Sequence, residues 1–197
     1  MTDIKDTIAH GAVELIKAQG YKNVSVNEIC AHCGVSRSVF YSVFNGKRAI
    51  LDYVVAKPRH TDEESFMKFA NAENDFERIW QLFERFITIA LEFGPELTST
   101  LFLMQFESPE GIRAAVHSLD DLFAALAKNC ARAGIIETEE EPELLSKIAT
   151  DLIVHELYVW CSQNGNFSLR ERARQYAEIA YHVKPEYRMT PEQRAAL

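Results

Sequence analysis

Several features are missing from this 197-residue chain, and each absence narrows what it can be. No run reaches the roughly 18 consecutive apolar residues that a membrane-spanning helix needs. The opening stretch MTDIKDTIAH carries acids and no apolar segment, so it does not read as a secretory signal. The expectation is a cytoplasmic protein with no membrane partner. Alternating β-branched runs are absent, and the Asn45-Gly46 pair lies between two helical patterns instead of closing a hairpin. Cysteine is scarce, four residues in all, and the Cys30-x-x-Cys33 pair has no second pair nearby to complete a four-ligand zinc site. The six histidines show no ligand spacing, so neither a metal nor a cofactor is expected. Two acid–base groupings stand out, Asp151 with His155 and His117 with Asp120 and Asp121. Neither comes with a nucleophile or a Gly-rich loop, so no enzyme is expected.

What remains is a folded helical chain, with 47% hydrophobic and 25% charged residues. Its net charge of −8 is unevenly spread. Residues 1–60 hold eight Lys/Arg against five Asp/Glu, a net of +3, which leaves −11 on the remainder. A modestly basic N-terminal third on an acidic body can turn one face to phosphate and keep the rest away from it.

About nine helices are predicted, in an all-α fold. The first runs from about Asp3 to Gln19, with Ile4, Ile8, Gly11, Ala12, Leu15 and Ile16 on one stripe. Ser25 caps a second helix with Ile29, Cys30 and Cys33 on one face, and Gly34 stops it. Ser36 caps a third, Arg37 to Phe44, which buries Val39, Phe40 and Val43 or turns Val39 outward beside Arg37, Ser38, Tyr41 and Ser42. Two short helices around a Gly-containing turn form a helix-turn-helix, whose second helix enters the DNA major groove. A fourth helix starts near Lys47 and is discouraged at Pro58. Residues 58–74 form a short helix of their own or continue the fourth after a kink. Further helices are expected from Asp75 to Gly94-Pro95, Glu96 to Phe106, Glu110 to Arg132, Pro142 to Gln163 and Ser168 to Val183, the last with Glu171 completing a capping-box pattern. The tail after Pro185 reads as polar and mobile.

Between Asp151 and Cys161 the helix is apolar nearly all round, and such a helix must be covered on every side. A second copy of the chain is the economical cover, so a homodimer is expected through Leu152, Val154, Leu157, Val159, Trp160, Tyr176 and Ile179.

The N-terminal 50 residues resemble the TetR family of bacterial transcriptional regulators. The resemblance rests on IAHGAVELIKAQGY, the cap at Ser25, ICAHCGVS, VFYSVF and NGKRAIL, five elements in order with the right gaps. It implies a DNA-binding domain over residues 1–46 and a larger helical ligand-binding and dimerisation domain over 47–197. It also implies a palindromic double-stranded operator, and usually repression relieved by a small molecule. The family uses small Ala where Cys30 and Cys33 stand, which implies packing roles for both. Lys47, Tyr41, Ser25 and Ser36 are then expected at phosphates, and Arg37, Ser38, Val39 and Ser42 at base edges or thymine methyls. Two departures, Ser38 where the family commonly has Gly and Val43 where it often has His, prevent any borrowing of base preference.

In the family the body encloses the effector. Trp80, Phe83, Phe102, Phe106, Phe123 and Tyr158 are the aromatic candidates, with Gln105, His117 and His155 as polar ones. Such a lining suits a hydrophobic, aromatic or acyl ligand. A ligand-independent or redox-controlled regulator working through Cys30 and Cys33, and an activator, stay open as alternatives.

Overall fold

A computed structural model describes residues 3–56, 63–107 and 119–197, with the side chains of residues 56, 63–65 and 105–107 left out. Among the described residues there is no β-strand, only an isolated bridge between Ile136 and Val183. The all-helical class expected from the sequence is what the chain adopts.

Four helices build the N-terminal head: α1 (Ile4–Gln19), α2 (Val26–Cys33), α3 (Arg37–Val43) and α4 (Lys47–Ala56). Their ends are set locally. Asp3 caps α1, and Gly20 ends it at φ +83°. Ser25 and Glu28 form a reciprocal capping box on α2, and Gly34 closes that helix in the left-handed region at φ +65°. Ile8, Ala12, Ile16, Ile29, Phe40, Ile50 and Leu51 fill the head core, none more than 2% exposed. This core runs past Gly46 into α4.

The body comprises α5 (Glu63–Ala70), α6 (Asp75–Glu107), α7 (Asp120–Arg132), α8 (Pro142–Ser162) and α9 (Leu169–Ala180). Within residues 58–74, Glu63–Ala70 is helical as α5, while residues 57–62, on which the choice between a separate helix and a kinked continuation of α4 depends, lie outside the described ones. The predicted start near Glu110 also lies outside them; the end at Arg132 and the left-handed Gly134 agree with expectation. The expected break at Gly94-Pro95 is present as a kink inside α6, with Gly94 at φ +77° and ψ 168°. By length and composition Asp75–Met104 could cross a membrane. Part of its apolar surface packs inside the protein, with a third of that stretch buried. Phe76, Ile79, Trp80, Phe83 and Ile87 enter the body core, while Phe93, Leu97 and Leu101 enter the head core.

The tail departs from expectation. Pro185–Tyr187 forms a 3-10 turn and Pro191–Ala195 a last helix, α10, capped by Thr190. Both are tied down: Arg188 Nε donates to the Val183 carbonyl at 2.6 Å, and Glu178 accepts from Met189 N–H and from Arg194 Nη1, each at 3.0 Å. A buried carboxylate needs partners, and the polar tail supplies two of them.

Candidate nucleic-acid interface and ligand sites

One side of α3 is anchored and the other is free. Ser36 Oγ accepts from the Val39 N–H at 3.2 Å, which fixes the start of the helix. Phe40 is wholly buried, with Phe44 behind it at 6.2 Å between ring centroids. Arg37, Ser38, Val39, Tyr41 and Ser42 all face outward. Val39, which the sequence left between core and surface, is 37% exposed. The Arg37 guanidinium lies 5.8 Å from the Tyr41 ring centroid, and Ser42 Oγ donates to the Val39 carbonyl at 2.7 Å. Five neighbouring outward side chains, one of them aromatic and one cationic, thus line the free face of α3.

The flanking residues are more heavily engaged. Ser25 Oγ donates to Glu28 Oε2 at 2.6 Å and accepts from the Glu28 N–H at 3.2 Å. These bonds to Ser25 hold the Glu28 carboxyl below the usual range. The Ser25 hydroxyl proton is therefore already given to Glu28. Lys47 Nζ donates to the Tyr21 carbonyl at 2.6 Å and sits 4.4 Å over the Tyr21 ring. Burial lowers its pKa, and the Glu28 charge partly offsets that. One of the three ammonium donors thus ties α4 to the α1–α2 turn.

Cys30 is buried and Cys33 half-buried between α1 and α2. A Cβ on Gly11 would lie 2.6 Å from Cys33 Sγ, so the two helices touch through small side chains. Burial, then the neighbouring Cys30 and Glu14, push the Cys33 thiol up. Among the described residues no group of three or more His, Cys, Asp or Glu is arranged to hold a metal ion.

Of the nine residues expected around an effector, the six with described side chains divide between the body core and the surface. Trp80, Phe83 and Phe123 are packed solidly, with Phe83 and Phe123 stacked at 4.5 Å and 18°. Phe102 is half-buried against that core. His117 and the side chains of Gln105 and Phe106 lie outside the described residues. His155 and Tyr158 correct the expectation: they face outward, Tyr158 being 60% exposed, because they sit on the side of α8 away from Ile153, Leu157 and Trp160.

The dimer set divides the same way. Leu157 and Trp160, 7% and 5% exposed, belong to the chain's own core and have almost no surface left to offer a partner. Leu152, Val154 and Val159 are half-buried, as is Tyr176, and Ile179 is 52% exposed. Leu144 and Ile148, absent from the expected set, extend this outward face at 44% and 40% exposure. Their four-residue spacing with Leu152 was visible, but the all-round apolarity of the helix hid which side was inner.

Fold and outward strip together define an all-helical helix-turn-helix protein. Residues 8–54 match the family model described as bacterial regulatory proteins, tetR family. Over 77 residues the chain is 30% identical to the HTH-type transcriptional regulator SrpR of Pseudomonas putida, covering 39% of this chain and 36% of that protein. It is likewise 30% identical over 77 residues to the uncharacterized HTH-type transcriptional regulator TtgW, also of Pseudomonas putida, covering 39% of this chain and 58% of that protein. The matches thus span between about a third and three fifths of these curated relatives. FadR of Thermus thermophilus, a TetR-family repressor solved in complex with lauroyl-CoA, shares the fold with a TM-score of 0.65 and 22% identity, over 95% of this chain and 97% of that one. Over residues 8–54 this chain is therefore similar to the TetR family, and beyond them it shares the fold.

Proposed function

We propose that this chain is a sequence-specific DNA-binding transcriptional regulator, acting as a homodimer and as a repressor that a small, largely apolar ligand releases from a palindromic operator. The observation that carries the DNA-binding reading is the exposed strip Arg37, Ser38, Val39, Tyr41 and Ser42 on a helix pinned by Phe40. Arg37 and Ser38 meet base edges, while Tyr41, Ser36 and Lys47 meet phosphates. The outward face of Leu144, Ile148, Leu152, His155, Tyr158 and Ile179 supports the dimer, since an exposed apolar patch of this kind marks an interaction surface. The effector reading is supported by the half-buried Phe102 beside the body core and by the lauroyl-CoA bound to the Thermus relative. The raised Cys33 thiol gives redox control no support, because the reactive form is the thiolate.

Selection of duplexes from a random pool, followed by fluorescence anisotropy, tests this. Two related half-sites about one helical turn apart should emerge, bound by two chains. Lys47→Ala should weaken binding to every sequence alike and flatten the salt slope by about one unit per subunit. A pool that converges on no sequence would refute the reading.

A further inference from the structure

Two cations of the head are taken up by α6: Lys17 Nζ donates to the Glu92 carbonyl at 2.6 Å, and Arg48 Nη2 to the Met104 carbonyl at 2.9 Å. Lys5, in the first turn of α1, is held differently. Its ammonium lies 5.3 Å from the Phe44 ring centroid and 4.6 Å from that of Tyr53. It makes no hydrogen bond or ion pair among the described residues. Lys47 is laid on a ring in the same manner, 4.4 Å over Tyr21.

The carboxylates on either side of Lys5 are engaged elsewhere. Asp3 Oδ1 accepts from the Lys5 backbone N–H at 3.1 Å, and Asp6 Oδ1 accepts from the Tyr53 hydroxyl at 2.7 Å. Rings fix where the ammonium stands. Phe44 is the C-cap of α3; its ring lies 6.2 Å from Phe40 and meets Tyr53 edge-on at 5.5 Å. Phe40 in turn touches Tyr41 of the outward strip at 5.2 Å. Through these rings Lys5 is held beside the C-terminal end of α3, at a residue two beyond Ser42 and three short of Lys47. A cation seated on ring faces has already given up side-chain freedom, so less remains to be lost on meeting an anion.

We propose that Lys5 is a further phosphate contact of the DNA-binding surface, supplied by α1 at the C-terminal end of α3. Phe44 and Tyr53 position its ammonium, and a helix seated in the major groove has a phosphate backbone at its end to receive it. Such a contact fixes the register of the head on the duplex and reads no base. Lys5 lies outside residues 8–54, the span that the family model matches. The proposal rests on the DNA-binding reading.

Fluorescence anisotropy of the full chain on a duplex of mixed sequence, over a series of salt concentrations, tests the contact. Lys5→Met keeps an unbranched stem over both rings and removes the charge. It should flatten the slope of log affinity against log salt by about 0.9 for each bound chain, and the double variant with Lys47→Ala should show the sum of the two losses. Lys5→Arg should keep the parent's slope, and Lys5→Gln gives a second neutral variant where Met disturbs the fold. Melting temperatures separate contact from packing. A neutral variant that melts lower yet keeps the parent's slope makes Lys5 a cover for Phe44 alone and overturns the proposal; so does one that changes neither. Lys47→Ala on the same duplex tells the two failures apart: a slope flattened there but not at Lys5 leaves the DNA-binding reading standing. A parent chain that binds no duplex removes both.

Discussion

Head and body are held together by different means. The head core is a set of aliphatic and aromatic side chains, and its helix ends are fixed by residues one to four positions away. The body has charge inside it. Among the described residues the buried charged side chains, Glu156, Arg174 and Glu178, all belong to the body. Arg174 is fully buried and reaches Glu178 at 2.8 Å on its own helix and Glu77, 97 residues earlier in the chain, through two hydrogen bonds. Burial alone would lower the Arg174 pKa; the bonds to Glu77 and Glu178 outweigh it and raise the value. The head is thus instructed by neighbours in sequence and the body by partners far apart in it.

Removing Arg174 tests this contrast most severely. Arg174→Met leaves Glu178 and Glu77 without their shared cation, and breaking a buried pair in this way costs about 3–5 kcal/mol. Both tryptophans, Trp80 and Trp160, are in the body core. Their fluorescence should therefore show the body unfolding at a much lower temperature. Phe40→Ala should cost the head about 3 kcal/mol by opening a cavity behind α3, and abolish DNA binding. Its tryptophan transition should stay where the parent's lies. A matching shift in that transition would mean that head and body unfold as one unit.

Smaller changes sharpen the comparison within the head. Gly11→Ala would place a methyl 2.6 Å from Cys33 Sγ and should cost about 1 kcal/mol. Adding Cys33→Ala should recover most of the loss, and failure to recover it would place the strain elsewhere. Ser25→Ala should cost about 1 kcal/mol in urea denaturation at neutral pH, through loss of the α2 cap. Because Ser25 depresses the Glu28 pKa, the Glu28 share of that stability is present above the ordinary glutamate range and is lost as pH falls through the lowered value. The gap between parent and variant should narrow in acid; a constant gap would assign the whole effect to the neutral hydroxyl.

What could be read in advance follows the same division. The caps at Ser25, Ser36 and Ser168, the stops at Gly34 and Gly134, the break at Gly94-Pro95 and the outward strip of α3 except Val39 were legible, because each depends on a few adjacent residues. On α8 the outcome was mixed. Its limits were legible from Pro142 and the Asn164-Gly165 turn, yet Leu157 and Trp160 turn inward while His155 and Tyr158 turn outward. A helix apolar on every side carries no mark of which side is inner; its neighbours decide that. The tail misled for the opposite reason. Arg194 looks like a solvated charge until Glu178 is known to be buried beside it, and Arg188 until its bond to the Val183 carbonyl is seen.

By itself, then, the sequence determined most helices of head and body, their caps and stops, and most of the outward strip of α3, because capping, glycine conformation and apolar spacing act over a few residues. Tertiary structure alone decided that the second half of α6 packs with the head, that the tail docks on α9, and that Arg174 joins Glu77 to Glu178. Those contacts unite segments tens of residues apart. Their energy comes from burial and charge pairing, which exist only once the distant partners have met.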